Sequence, residues 1–320
     1  MPDATHVSPP RGLFAGTVLD NRRLCEEHYL LQLAVEGFPP TRPGQFVQLQ
    51  CRPIAPLPGY REVAWPADGW LRLSQPELAG KEPFLRRPLC LAGRRDTRRG
   101  AELDLIYRTI GIGTHWLAGV REGAPLSVLG PLGNAFPMSA AKTQALLVGG
   151  GVGIPPMLYL AEALAAAGKE VVAFCGARTR SALPLTLDED CFACPDASPR
   201  PCVREFAERG ASAVVATDDG SAGFHGLVSD ALEKHLDRKN IDPGDTVAYA
   251  CGPEGMMRAV GDACIRRGIE CCVVMERHMA CGVGTCQSCV CKVRADNEPG
   301  WEFRLCCADG PVFDARAIVW

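Results

Sequence analysis

Cysteines near the C-terminus constrain this chain more than any other feature of its sequence. The segment 281–289 has the spacing C-x4-C-x2-C, and Cys306 and Cys307 follow 17 and 18 residues later. Thiolates at this spacing bind a 2Fe–2S cluster, and the glycines at 282 and 284 let the backbone approach the inorganic sulfides closely. A C-x2-C pair alone would fit a zinc site or a redox pair equally well. The full pattern therefore predicts a two-iron cluster, and with it a protein that transfers electrons.

The composition is that of a globular chain with two or three domains. The 320 residues are 47% hydrophobic and 22% charged, with a formal net charge of −3. This charge, without a basic stripe, argues against nucleic-acid binding. Apolar runs are too short to span a bilayer and the N-terminus does not resemble a signal peptide, so we expect a cytoplasmic protein with no membrane partner. In a reducing cytosol the 17 cysteines are available to metal rather than to disulfides.

Residues 11–140 predict an antiparallel β-barrel. Short apolar runs alternate there with proline and glycine, and they show little helical periodicity. The segment 52–83 is rich in proline and predicts a loop insertion between barrel strands. The predicted strands are Gly16–Leu19, Tyr29–Val35, Gln45–Gln50, Trp70–Leu73, Leu103–Tyr107 and Pro125–Leu129.

Residues 141–270 change to strand–helix alternation, which predicts a doubly wound parallel sheet of the kind that binds nucleotides. The remainder, 271–320, predicts a small domain for the 2Fe–2S cluster. The predicted strands of the sheet are Ala145–Val148, Val171–Cys175, Ala213–Thr217 and Thr246–Cys251. The predicted helices are Pro156–Ala167, Leu227–Leu236 and Glu254–Arg267.

A glycine-rich turn follows the first of these strands. Gly149, Gly150, Gly151 and Gly153 lie between the strand and a helix that begins with proline. Backbone N–H groups at such a helix start suit a pyrophosphate, and glycine lets the ligand come close. A glycine turn can also be an ordinary strand-to-helix connection, so its position in the alternating pattern carries the prediction of a nicotinamide nucleotide site.

The last parallel strand ends in Cys251, Gly252 and Pro253. Open α/β sheets bind ligands at the carboxyl ends of their strands, which predicts that Cys251 is a catalytic residue beside the nicotinamide and that the two following residues contact the cofactor. A turn with a buried cysteine is the plainer alternative.

Two features of the first part point to phosphate groups. Arg87 precedes Pro88, and a guanidinium fixed in this way can bind a phosphate with two hydrogen bonds. Gly113 and Thr114 open a predicted helix, Thr114–Val120, a second start suited to phosphate. Taken singly, an arginine pair on the surface and a turn would explain them. Together, ahead of a nucleotide-binding part, they favour a flavin.

These motifs resemble the ferredoxin–NADP reductase superfamily over nearly the whole chain. The tail, from Glu276-Arg277-His278-Met279-Ala280-Cys281 to Cys307-Ala-Asp-Gly-Pro-Val-Phe313, is similar to the family of electron-transfer subunits of NAD-linked dihydroorotate dehydrogenases. The segment 217–223, Thr-Asp-Asp-Gly-Ser-Ala-Gly, also matches the nucleotide domain of that family.

The resemblance implies three cofactors, FAD, NAD and a 2Fe–2S cluster, and a partner, a catalytic FMN subunit with which the chain would form a heterotetramer. The implied cluster ligands include Cys307 rather than Cys306, because Cys307 directly precedes the Asp-Gly-Pro-Val-Phe run; Cys306 stays open as the alternative. The implied ligands are Cys281, Cys286, Cys289 and Cys307. The implied FAD contacts are Arg87, Pro88, Leu89, Cys90, Ile106, Tyr107, Arg108, Gly113 and Thr114.

Three departures from the family pattern stand out. Cys90 occupies a position where the family usually has Ser or Thr, which weakens one hydrogen bond to the flavin. The insertion 52–83 enlarges the barrel, and Cys291 adds a thiol near the cluster without an assigned role. The cysteines at 191, 194 and 202 predict a loop, with a second metal site as the alternative.

The three cofactors fit one task. Nicotinamide exchanges two electrons at once, a 2Fe–2S cluster exchanges one at a time, and a flavin connects the two. The family resemblance then implies that electrons from dihydroorotate pass through the cluster and FAD to NAD. The alternatives are a reductase component that feeds an oxygenase or hydrogenase, and a zinc-binding regulatory protein on a reductase fold.

Overall fold

The computed structural model describes residues 11–54, 83–188, 196–238 and 241–320. The predicted strand Trp70–Leu73, most of the insertion, Cys191 and Cys194 lie outside these ranges. Within them, no helix is long and apolar enough to cross a membrane. The strands are β1 (Gly12–Arg23), β2 (His28–Glu36), β3 (Phe46–Leu49), β4 (Arg87–Cys90), β5 (Gly93–Thr97), β6 (Gly100–Arg108), β7 (Pro125–Leu132), β8 (Gln144–Gly150), β9 (Glu170–Ala177), β10 (Ser212–Thr217), β11 (Phe224–His225), β12 (Thr246–Cys251), β13 (Glu270–Val274), β14 (Val290–Arg294), β15 (Trp301–Leu305) and β16 (Val312–Asp314). The helices are α1 (Ile112–Ala118), α2 (Ile154–Ala166), α3 (Arg204–Ala207), α4 (Val228–Arg238) and α5 (Glu254–Arg266).

The first sheet is antiparallel and has the order β4-β3-β7-β1-β2-β6-β5. Its strands alternate apolar and polar residues, so that one face packs inward; Leu31, Leu33, Leu103 and Leu105 are all 0% exposed. No ladder of the described residues joins β4 to β5, and the sheet is therefore a half-barrel. This confirms the predicted antiparallel domain.

The second sheet has the order β11-β10-β9-β8-β12-β13-β16, and β8, β9, β10, β12 and β13 pair in parallel. These strands are apolar along their whole length because helices cover both faces. The strand order reverses between β8 and β12, and at such a reversal the carboxyl ends of the strands open into a crevice. The predicted doubly wound sheet is confirmed, and Gly150 and Cys251 lie at this reversal, at the ends of β8 and β12.

The tail is joined to both preceding parts. Strands β14 and β15 form a separate two-stranded sheet, whereas β16 pairs antiparallel with β13 at the edge of the second sheet. Asn134, just after the half-barrel, donates to the backbone O of Val312 at 2.8 Å and accepts from its N at 2.9 Å. We retain the limits 11–140, 141–270 and 271–320 as a proposal, with the qualification that the second sheet takes strands from beyond residue 270.

Helix starts differ from the predictions by one or two residues. Helix α1 begins at Ile112 rather than Thr114, because the Thr114 hydroxyl accepts hydrogen bonds from the N–H groups of Ile110 and Gly111 and so belongs to the first turn. Helix α2 begins at Ile154 rather than Pro156, since proline is tolerated within a first turn, where no N–H is needed.

Candidate redox site

The cysteine loop between β13 and β14 is built around backbone donors that point at sulfur. The N–H groups of Val283 and Cys286 lie 3.5 and 3.4 Å from the Sγ of Cys281. The chain turns this tightly because Gly282 and Gly284 have φ values of +72° and +91°, a region that favours glycine. Donors of this kind stabilise a thiolate, so the loop fits an iron–sulfur cluster.

The four predicted ligands meet in two pairs. The Cys281 sulfur accepts from the N–H of Cys286, and the Cys289 sulfur accepts from the N–H of Cys307 at 3.4 Å. Within the described residues there is no group of three or more His, Cys, Asp or Glu side chains around a single metal-ion position. A pairwise arrangement suits a two-iron cluster, in which each iron takes two thiolates.

The adjacent residues Cys306 and Cys307 have different surroundings. The Cys307 thiol contacts that of Cys289 and lies near Cys281, whereas the Cys306 thiol contacts that of Cys291, and this contact together with burial raises the pKa of Cys306. This geometry favours Cys307 as the fourth ligand and pairs the two surplus thiols with each other. The ligand set itself stays a prediction.

Cys286 is the most exposed of the predicted ligands. The hydroxyl of Ser288 lies 3.2 Å from its Sγ, and this contact, with hydrogen bonds at neighbouring Cys281 and Ser288, lowers the pKa of the Cys286 thiol to about 6. Ser288 is itself held by the backbone at Ala280 and His278. The loop thus prepares a thiolate before any iron binds.

Three titratable groups meet at the crevice of the second sheet. Burial raises the pKa of Cys251 well above its usual value, and the Cys90 thiol and the Glu276 carboxylate raise it further. Burial also raises the pKa of Cys90 to about 12, with a contribution from Glu276. Both thiols therefore stay protonated at neutral pH, and Cys251 can donate a weak hydrogen bond but cannot act as a thiolate nucleophile.

Glu276 was missed by the sequence reasoning. It is exposed and lies 25 residues after Cys251, at the start of the tail, where its carboxylate looks like an ordinary surface charge. No local motif marks it, because its neighbours Cys90 and Cys251 come from two other strands.

Arg87 lies against the start of α1, the second feature from which a phosphate site was predicted. Its guanidinium crosses Gly113, and a Cβ on that glycine would come within 2.9 Å of Arg87 Nε. Arg87 Nη1 donates to the backbone O of Leu85 at 2.7 Å, and none of the described carboxylates pairs with it. The two predicted phosphate features, β4 and the start of α1, are thus in contact, and this cradle fits FAD.

The remaining residues of β4 divide between the two faces of the strand. Pro88 and Cys90 pair with Gln48 and Phe46 of β3, and Leu89 packs against the half-barrel core. The Leu89 side chain therefore faces away from the outer face, and only its backbone groups could contact a cofactor bound there.

The side chains of the three predicted flavin contacts on β6 have different surroundings, and the predicted contacts themselves stay a prediction. Tyr107 is 1% exposed, and its hydroxyl donates to Asn21 Oδ1 at 3.0 Å inside the half-barrel. Arg108 Nε donates to Glu27 Oε2 at 2.6 Å, so the charge of Arg108 is already paired. Ile106 packs against the core between the second sheet and helix α2. Strand alternation sends these side chains to separate places, which leaves their backbone groups for a flavin.

Close contacts with neighbouring protein atoms explain why three of the four glycine positions of the glycine turn exclude a side chain. A Cβ on Gly153 would lie 1.9 Å from the backbone O of Cys251, one on Gly150 would meet Met256 Sδ at 2.7 Å, and one on Gly149 would meet Ile154 Cα at 2.8 Å. These glycines let β8 and β12 end side by side. Gly151 differs, because it has a φ of +53° and open space above it.

Gly252 and Pro253 close the crevice from the β12 side. A Cβ on Gly252 would lie 3.0 Å from the backbone N of Gly150, and Pro253 forms the N-cap of α5. The two predicted nucleotide segments, 149–153 and 251–253, are thus in direct contact.

An open cleft at the carboxyl ends of β9 and β10 was not assigned from the sequence. Its volume is about 530 Å³. The Ser221 hydroxyl receives the N–H of Arg180 at 2.8 Å and donates to Asp219 Oδ1 at 2.6 Å. The cleft is lined by Thr179, Arg180, Ser181, Asp219 and Ser221. Asp219 and Ser221 belong to the segment 217–223, which the sequence analysis had noted only for its resemblance to the family's nucleotide domain.

Comparison with known families matches two parts of the chain. Residues 147–262 match the oxidoreductase NAD-binding domain, and residues 276–319 match the iron-sulfur cluster binding domain of dihydroorotate dehydrogenase B. The structure of an NADH-dependent reduced ferredoxin–NADP oxidoreductase aligns with a TM-score of 0.69 and 27% identity, over 95% of this chain and 90% of that chain. The fold and the site therefore define a flavin- and iron–sulfur-dependent reductase that uses a nicotinamide nucleotide.

Whole-length relatives narrow the class. The dihydroorotate dehydrogenase B (NAD(+)) electron transfer subunit of Bacillus caldolyticus is 37% identical over 308 residues, 95% of this chain and 97% of the relative. That of Caldanaerobacter subterraneus subsp. tengcongensis is 30% identical with the same coverage. The chain belongs to the family of dihydroorotate dehydrogenase B (NAD(+)) electron transfer subunits, which confirms the resemblance found from the motifs. A ferredoxin reductase of carbazole 1,9a-dioxygenase, with a TM-score of 0.57 and 18% identity, shares the fold.

Proposed function

We propose that this chain is the electron transfer subunit of an NAD-linked dihydroorotate dehydrogenase in pyrimidine biosynthesis. It takes electrons from a catalytic FMN subunit that oxidises dihydroorotate and delivers them to NAD. The observation that carries this proposal is the contact between β3, which pairs with the predicted flavin strand β4, and the cysteine loop: the Gln48 side chain lies within 2.7 Å of the position that a Cβ on Gly282 would occupy. The short distance between the flavin strand and the cysteine loop supports electron transfer between the two predicted cofactors.

Each side chain of the site has a role in this proposal. FAD, when bound, exchanges two electrons with nicotinamide and one at a time with the 2Fe–2S cluster. Arg87 binds the FAD pyrophosphate, and the Cys251 thiol and the Glu276 carboxylate orient the nicotinamide ring. Asp219 and Ser221 bind the adenosine ribose of NAD in the cleft, where a carboxylate and a hydroxyl suit a diol.

The proposal includes an assembly and a location. The chain forms a heterotetramer with the catalytic subunit, and it works in the cytoplasm, where thiolate ligands stay reduced. Dihydroorotate binds to the partner alone. This division of labour follows from a chain whose half-barrel, sheet and tail are each matched to one redox group.

Reconstitution with the catalytic subunit tests the proposal. The complex should convert dihydroorotate and NAD to orotate and NADH, followed by absorbance, whereas this chain alone should oxidise NADH with artificial acceptors. Cys286→Ser should keep FAD and the NADH reaction but reduce orotate-linked NAD reduction to background, because the cluster is lost. Orotate formation by this chain alone, or unimpaired coupling in Cys286→Ser, would refute the proposal.

A second candidate is a reductase component that feeds another acceptor. The 27% identity to an NADH-dependent reduced ferredoxin–NADP oxidoreductase over 95% of this chain favours it. The same reconstitution separates the two functions. Rapid NADPH-linked reduction of a ferredoxin, with no orotate formed in the presence of the FMN subunit, would support this candidate instead.

A further inference from the structure

Gln48 is a buried polar side chain without a partner. It is 0% exposed, and among the described residues neither its Nε2 nor its Oε1 has a hydrogen-bond partner. An unpaired buried amide costs stability, and native structures keep one mainly where a further group completes it. An apolar side chain of the same length would fill this space without that cost.

The Gln48 amide points at the cluster loop. On β3 the side chains of Val47 and Leu49 pack into the half-barrel core, so those of Phe46 and Gln48 point to the outer face. There the three terminal atoms of Gln48 lie within 2.7 Å of the position that a Cβ on Gly282 would occupy. The absence of a side chain at residue 282 is what lets the amide reach the loop.

The amide also lies beside the predicted flavin strand. Gln48 pairs with Pro88 on β4, and the next outward pair along the two strands is Phe46 with Cys90. Gly282 directly follows Cys281, the first predicted ligand. Gln48 therefore lies between the predicted flavin site and the Cys281 side of the cluster.

We propose that the Gln48 amide donates a hydrogen bond to the 2Fe–2S cluster on its Cys281 side and thereby raises the reduction potential of the cluster. The reduced cluster carries one more negative charge than the oxidised one, so a donor stabilises it more. The cluster would supply the hydrogen-bond acceptor that the amide nitrogen of Gln48 lacks among the described residues. This inference rests on the proposed function, because it requires the cluster.

Substitution by methionine removes the donor and keeps an unbranched side chain. In Gln48→Met, within the complete complex, we expect the reduction equilibrium of the cluster to shift about tenfold toward the oxidised state, or about 59 mV for a one-electron couple. Gln50→Met is the matched control, because the Gln50 amide is already bonded to Pro53 and Arg86. The measurement is a redox titration followed by electron paramagnetic resonance. Full iron content with an unchanged potential in Gln48→Met overturns the proposal.

A second test keeps the Gln48 side chain in place and so does not depend on how Gln48→Met folds. Glutamine labelled with ¹⁵N in the side-chain amide is incorporated in a Gln287→Gly background, which removes the loop's own glutamine. The reduced cluster should show a ¹⁵N hyperfine coupling, and its absence overturns the inference. A wild-type protein without iron or acid-labile sulfide would instead overturn the proposed function, so the two failures are distinguishable.

Discussion

The Cys286 thiol of the cysteine loop and the two thiols at the strand ends, Cys90 and Cys251, have opposite chemistry. In the loop, backbone N–H groups and the Ser288 hydroxyl surround sulfur, and the pKa of Cys286 falls to about 6. At the strand ends, burial raises the pKa of Cys251 and brings that of Cys90 to about 12. The surroundings of Cys286 therefore favour the thiolate, whereas those of Cys90 and Cys251 favour the neutral thiol.

The difference follows from the local backbone. A strand uses its N–H groups for the ladder, so a thiol on it meets only neighbouring side chains and burial. A loop with positive φ values turns its N–H groups inward toward one point. The protein therefore obtains a metal-binding sulfur and a neutral sulfur from the same residue type by changing the backbone around it.

The largest expected effect separates the two adjacent cysteines of the tail. Cys307→Ser should abolish the cluster, because its thiol contacts Cys289, whereas Cys306→Ser should retain it, because its thiol contacts Cys291. Iron, acid-labile sulfide and the paramagnetic signal of the reduced protein measure this. The comparison breaks down if Cys306→Ser loses the cluster and Cys307→Ser keeps it.

A smaller effect is expected on the strand side. Cys251→Ala should slow reduction of the flavin by NADH about tenfold, the value of one hydrogen bond, and leave the iron content unchanged. Because burial raises the pKa of Cys251, the wild-type rate should show no thiol ionisation up to pH 9. Stopped-flow absorbance measures both, with Cys264→Ala as a buried-thiol control away from the crevice. A rate that rises with a thiol pKa near 8 would contradict a neutral Cys251.

The smallest expected effect concerns stability at alkaline pH. Burial raises the pKa of Cys51 from 9.0 to about 11, so the folded protein keeps a neutral thiol while the unfolded chain ionises. The resulting stabilisation is complete below pH 9 and is lost as the pH rises to 11. The free energy of unfolding of the wild type should thus fall by up to about 2.7 kcal/mol more than that of Cys51→Ala over this range. Urea titrations of both proteins at pH 8 and pH 11 measure this difference. An equal fall in the free energy of unfolding for the wild type and Cys51→Ala would show that Cys51 is not held neutral.

Much of the fold could be predicted from the sequence because its signals are local. The apolar runs at Val171–Cys175 and Thr246–Cys251 were correct as parallel strands, since continuous apolar stretches between helices have few other solutions. Strand β16 was not predicted, because three residues carry no period and its pairing with β13 depends on tertiary contact. The C-x4-C-x2-C spacing predicted a cluster because one short loop contains three of the four predicted ligands.

The rest of the site could not be predicted because it is assembled from distant residues. Glu276 and Gln48 look ordinary in sequence, and only the folded chain brings the first to Cys251 and the second to Gly282. The family resemblance implied a flavin contact at Tyr107, and only the folded chain shows that its ring lies in the half-barrel core, so that such a contact would use its backbone. Sequence motifs locate the backbone of a site better than they locate its side chains.

The pairing of β16 with β13 has a consequence for synthesis of the polypeptide. The half-barrel and the parallel strands of the second sheet leave the ribosome before residues 312–314, so until then the outer edge of β13 presents free backbone groups, including those opposite Phe313. A nascent chain arrested before this point would expose that edge to pairing with another chain. Translation through residue 314 therefore precedes the pairing that covers this edge of the sheet.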